Sequence, residues 1–142
     1  SALGSTNSTL NIHIDNNALN PGAFNLFEDG EKNTRINCVK GDDYLAEHLI
    51  AQIDFIKVDV EGFELEVFKG LSEILRRCKP ILVFEYDVNY QLRTREDPKA
   101  LLYFLNQFFY DFYAIDGYGK RKKLELNAAL GSAEILAIPR EL

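Results

Sequence analysis

The stretch Ile53-Asp54-Phe55-Ile56-Lys57-Val58-Asp59-Val60-Glu61-Gly62-Phe63-Glu64 constrains this chain more than any other. It opens as a short apolar run rich in β-branched residues, the pattern of a buried strand. Side chains alternate along a strand, so Phe55, Lys57, Asp59 and Glu61 are expected on one face, with Ile56, Val58 and Val60 on the other. Lys57, Asp59 and Glu61 in succession are costly on such a strand unless the charges are paired or sit at a cleft. Gly62 then ends the strand, and a helical pattern starts at once. In an open α/β sheet, ligands gather outside this carboxyl end of the strands.

The flanking segments extend the same pattern. Thr9 to Asp15 alternates apolar and polar residues, predicting a half-exposed strand. Asn20-Pro21-Gly22 signals a turn, Ala23 to Phe27 a short strand, and Glu28 to Glu31 another turn. Arg35 to Val39 reads as a strand, and Asp42 as the cap of a helix to Ala51 with Tyr44, Leu45 and Leu49 inward. Phe63 to Cys78 places Val67, Phe68, Leu71, Ile74 and Leu75 on one helix face, with Gly70 marking close packing. Ile81 to Tyr86 is a second buried strand, again ending in an acid, Glu85. Asp97-Pro98 starts a helix to Tyr110 that turns Leu101, Leu102, Leu105, Phe108 and Phe109 inward. Phe112 to Asp116 and Glu134 to Pro139 read as closing strands. Residues 1–142 are therefore expected to form one α/β domain, its sheet mostly parallel with an antiparallel closing strand.

Composition narrows the function. A net charge of −6 argues against a general nucleic-acid binder, whose phosphate affinity comes from Lys and Arg. No apolar run approaches the roughly 20 residues of a membrane span. Two cysteines, Cys38 and Cys78, are too few for a disulfide framework. They read as reduced thiols, Cys38 facing the core, which suits a cytoplasmic protein. The Lys120 to Lys123 run reads as a solvated hairpin, and His13 and His48 as surface histidines.

Chemistry concentrates at the strand ends. Asp59 and Glu61 end one strand and Glu85 the next, and adjacent strands lie about 5 Å apart. Clustered carboxylates hold a hard cation such as Mg²⁺, or raise one another's proton affinity for work as a base. The bland alternative is that these acids cap neighbouring helices and pair with Lys57. Glu64 and Glu66, in the first turn of the next helix, read as complements to its dipole.

The run from Ile53 to Gly70, with its K-x-D-x-E-G-x-E core, and the later strand Lys79 to Tyr86 ending in Glu85 resemble the FkbM family of S-adenosylmethionine-dependent methyltransferases. Asn20 to Leu26, Val39 to Leu45 and Ala133 to Pro139 resemble its intervening and closing segments. The resemblance implies a Rossmann-like class I methyltransferase sheet and methyl transfer to an oxygen nucleophile, on a sugar or secondary metabolite. It implies a site formed by Lys57, Asp59, Glu61 and Glu85, with S-adenosylmethionine as cofactor and Asp59 and Glu85 as candidate Mg²⁺ ligands. The family's opening strand, its glycine-rich turn and its ribose-binding acid have no counterpart here. The expectation is thus the C-terminal, substrate-side part of such a domain, with its N-terminal strands missing. The rival expectations are a non-catalytic module that forms a homodimer through an open sheet edge, and a Mg²⁺-dependent enzyme of another class.

Overall fold

A computed structural model describes residues 1–13, 33–93 and 97–141. In chain order the elements are β1 (Ala2–Gly4), β2 (Ser8–His13), β3 (Asn33–Lys40), α1 (Gly41–Glu47), β4 (Phe55–Val58), α2 (Glu64–Gly70) and α3 (Ser72–Cys78). They continue with β5 (Ile81–Tyr86), α4 (Val88–Arg93), α5 (Ala100–Asn106), β6 (Tyr110–Ile115), β7 (Arg121–Lys123) and β8 (Ala133–Pro139). The turns and short strand expected between Asn16 and Glu31, and the end of the strand expected to reach Asp15, lie outside the described residues.

The strands form two sheets, ordered β1-β3-β2 and β4-β5-β8-β6-β7. In the larger sheet β4 and β5 pair in parallel, while β8 lies between β5 and β6 and runs antiparallel to both. The strands β4, β5 and β6 therefore share one direction, yet among the described residues β4–β5 is the one parallel pairing in this sheet. The expectation of a mostly parallel sheet fails at the level of pairing, because the last strand inserts beside β5 instead of adding at the edge. The fold is a mixed α/β arrangement compatible with a methyltransferase.

One face of the larger sheet carries the core. Val58, Leu82, Phe84, Tyr86, Tyr110, Phe112, Ile135 and Ala137 are buried there against Leu65, Phe68, Leu71, Leu75, Leu101 and Leu105 of the helical segments. Burying such side chains is the main favourable term in folding, about 1.5–3 kcal/mol for each large one. Two buried tyrosines keep their hydroxyls satisfied: Tyr110 donates to the Pro80 carbonyl at 2.8 Å and Tyr86 to that of Pro98 at 2.7 Å. The opposite face, with Phe55, Lys57, Ile81, Val83, Glu85, Tyr113 and Leu136, is only partly covered or exposed.

The helix expected over Phe63 to Cys78 is two helices. Its expected inward residues are all buried, but the chain breaks at Leu71, with φ −108° and ψ 19°. Beside the break lies a crossing at Gly70, where a Cβ would fall on the carbonyl oxygen of Gly4, so only glycine lets α2 touch β1. The N-terminus of α3 has no cap of its own. Asp42 supplies one from α1, its carboxylate accepting the N–H groups of Glu73 at 2.9 Å and Ile74 at 3.1 Å. Helix α1 also stops early, at Glu47. Leu49 takes a left-handed φ of 57° and is 90% exposed, and Tyr44 is exposed too, so only Leu45 of the three expected inward residues packs on the core. Phe109 likewise departs from expectation: a left-handed φ of 64° turns it outward between Lys79 and Arg140. Strand β1 and helix α4 were not anticipated from the sequence.

Candidate functional site

The site lies where β4 and β5 end and β8 begins. The parallel register pairs Lys57 with Val83 and Val58 with Phe84, so Asp59 and Glu85 are the next residues along their strands. Across β5, Glu85 sits directly opposite Glu134 of β8. Like charges at directly opposed positions are destabilising, so the register places a carboxylate pair there at a cost in stability. Lys57, Asp59, Glu85 and Glu134 line a pocket of 220 Å³. Three of the four expected site residues are therefore brought together. Glu134 was missed, since its neighbourhood depends on β8 inserting beside β5.

Glu61 is placed differently. The strand stops at Val58, and Glu61 takes a φ of 49° followed by Gly62 at 100°, so the alternation expected to carry Glu61 onto the face of Lys57 and Asp59 does not reach it. Two successive left-handed residues make a tight turn. At Gly62 a side chain would be strained by φ and would meet Tyr90, which makes glycine obligatory. Glu61 lies outside the pocket lining and acts on it through charge. Burial pushes the Glu85 carboxyl above its usual range, helped by the negative charges of Asp59, Asp87, Glu64 and Glu61.

Glu64 stands in the first turn of α2, as a complement to its dipole should, but it is buried. It is 1% exposed, and its Oε1 accepts the N–H groups of Val60 at 3.3 Å and Gly62 at 3.2 Å. Burial raises its pKa, against the lowering effect of those backbone hydrogen bonds. Glu66 is likewise engaged, accepting from Lys69 at 2.7 Å and from the Ser5 hydroxyl.

A second cavity adjoins the first. Ala2, Leu3, Ile56, Val58, Val60, Phe63, Val67 and Leu71 line a largely apolar cleft of 480 Å³, and Lys57 and Asp59 line it as well. A cleft of this size falls in the range of small-molecule sites, about 300–1,000 Å³. Lys57 and Asp59 thus form the partition between an apolar cleft and an acidic pocket. Among the described residues no group of three or more His, Cys, Asp or Glu is arranged to hold a metal ion, so the Asp59–Glu85 cation site expected from the sequence gains no third ligand there. No described helix is long and apolar enough to cross a membrane. Both cysteines are free, and Cys38 is buried as expected.

Comparison with known families finds one match: the family model described as Methyltransferase FkbM domain aligns with residues 2–112, most of the chain and all of the β4 to β5 region. No match was found among curated proteins or among solved structures.

Proposed function

Because the chain belongs to the FkbM methyltransferase family, we propose that it transfers a methyl group from S-adenosylmethionine to a hydroxyl oxygen of a sugar or secondary metabolite. The observation that carries this reading is that Lys57 and Asp59 line both the apolar cleft and the acidic pocket, so two ligands could meet across them.

The residues of the cleft fit the cofactor. Ile56, Val58, Phe63 and Val67 offer apolar walls to an adenine ring. Lys57 suits its carboxylate, and Asp59, the one acid lining the cleft among the described residues, suits its cationic sulfonium. When bound, S-adenosylmethionine supplies an electrophilic methyl group. The acceptor would occupy the acidic pocket. Glu85, whose proton affinity is raised by burial and by the neighbouring carboxylates, is the group suited to take the hydroxyl proton. Asp59, at the partition, holds the hydroxyl in line. Glu134 adds negative charge, which favours an acceptor rich in hydroxyl donors or bearing an amine. Orientation of this kind is a large part of catalysis, and a positioned base is worth about 10²–10⁴-fold in rate.

Isothermal titration with S-adenosylmethionine and S-adenosylhomocysteine tests the cleft, and labelled methyl transfer to a panel of sugars tests the pocket. Asp59→Ala is expected to weaken cofactor binding and lower transfer by about 10²-fold or more while the protein stays folded. Full transfer by that variant would overturn the assignment.

A second reading is favoured by one observation. Among the described strands β4 is the outer one of its sheet, with Phe55 56% exposed and Val60, just beyond the strand, 38% exposed, and the sheet face behind it is partly apolar. An open edge of this kind is a template for pairing with another chain. In this reading the protein is a non-catalytic module that forms a homodimer through β4. It requires a dimer in sedimentation that Phe55→Pro, which removes an N–H from the outer side of β4, dissociates; a monomer at all concentrations would exclude it.

A further inference from the structure

The motif's last acid has a place in the structure that its helical position did not suggest. Glu64 begins α2 yet points back into the turn that joins β4 to it, where the left-handed residues Glu61 and Gly62 turn the backbone N–H groups of Val60 and Gly62 toward one point. Such turns form a concavity that binds anions, and here the chain's own carboxylate fills it. Its other oxygen, Oε2, accepts from Nε2 of Gln91 at 3.4 Å. Gln91 belongs to α4, the helix that directly follows β5 and Glu85, and it is 2% exposed. One buried carboxylate therefore touches both the segment after Asp59 and the helix after Glu85. Tyr90, next to Gln91, packs against Gly62 and closes the same junction.

We infer that Glu64 and Gln91 are positioning residues: a buried latch that sets the spacing between the Asp59 and Glu85 strand ends, and hence the shape of the acidic pocket. Neither lines that pocket. Their effect passes through the backbone of Val60 and Gly62 on one side and through α4 on the other. The latch matters for methyl transfer only if the reading given above is right, but its existence is a property of the free protein.

The test therefore uses the free protein. Backbone and carboxyl NMR signals are recorded for the parent chain and for Glu64→Gln, Glu64→Ala and Gln91→Ala. Glu64→Gln keeps an oxygen facing the turn and is expected to preserve slow exchange at the Val60 and Gly62 amides. In Glu64→Ala those two amides should exchange about tenfold faster or more, relative to amides of β5 and β8. Both Glu64→Ala and Gln91→Ala should move the carboxyl signals of Asp59 and of Glu85, which lie on opposite sides of the latch. If Glu64→Ala does not fold, Gln91→Ala carries the test, because it should shift the Gly62 amide from across the junction. Unmoved Asp59 and Glu85 signals in Gln91→Ala, or turn amides as protected in Glu64→Ala as in the parent, would overturn the inference. Absence of S-adenosylmethionine binding, by contrast, would sink the methyl-transfer reading and leave the latch standing.

Discussion

Glu85 shows how a single residue reports on its surroundings. Its carboxyl keeps a proton to higher pH than an ordinary glutamate, through partial desolvation of a mostly exposed group and through four nearby acids. The folded state then binds more protons than the unfolded chain once pH passes the usual carboxylate range, so stability falls as pH rises through the raised value. Glu85→Gln removes this loss. The variant is expected to match the parent near pH 4 and to melt slightly higher at pH 7, by about 1–2 °C, because the group is largely exposed and screened. Thermal melts at the two pH values check the sign. The same variant should lose methyl transfer, so a gain in stability with a loss of activity is the expected signature of an acid kept for function.

At the scale of elements, the region after β4 is governed by tertiary caps. Neither α2 nor α3 has a side-chain cap within its own sequence, and α3 relies on Asp42, 31 and 32 residues away from the N–H groups it accepts. Asp42→Ala is expected to cost about 1 kcal/mol, read by urea unfolding, and to speed amide exchange in the first turn of α3. Asp42→Asn, which keeps an acceptor, should restore most of it. The strand β7, at the far edge of the sheet, carries Arg121, Lys122 and Lys123, all exposed. Charge on an edge strand discourages pairing with other chains, which accounts for this run without a phosphate ligand.

Taken as a whole, the molecule is expected to be asymmetric in stability. Three glycines permit close approaches: a Cβ at Gly4 would collide with Cys38 of β3, one at Gly41 with Leu71, and one at Gly70 with the Gly4 backbone where α2 meets β1. Gly70→Ala must push β1 off α2 and is expected to destabilise by about 1–3 kcal/mol, as overpacking does. Hydrogen exchange should find β1 and the described part of β3 opening before β5 and β8, whose Leu82, Phe84, Ile135 and Ala137 are 0% exposed. In Gly70→Ala that difference should widen; uniform exchange across both sheets would contradict this division.

The amino-acid sequence by itself determined the local frame: β5 from Ile81 to Tyr86, the buried faces of α2, α3 and α5, the buried Cys38, and the K-x-D-x-E-G-x-E run whose Lys57 and Asp59 line both cavities. These were legible because periodicity and punctuation act over a few residues, within reach of reading along the chain. What only the tertiary structure decided depends on contacts between distant segments. The Glu134–Glu85 pair exists because β8 inserts beside β5. Asp42 is a cap for α3, and Glu64 meets Gln91 of α4 because α4 packs against the turn after β4. A side chain's identity sets what bonds it can make, but the partner that satisfies it is chosen by how the whole chain packs.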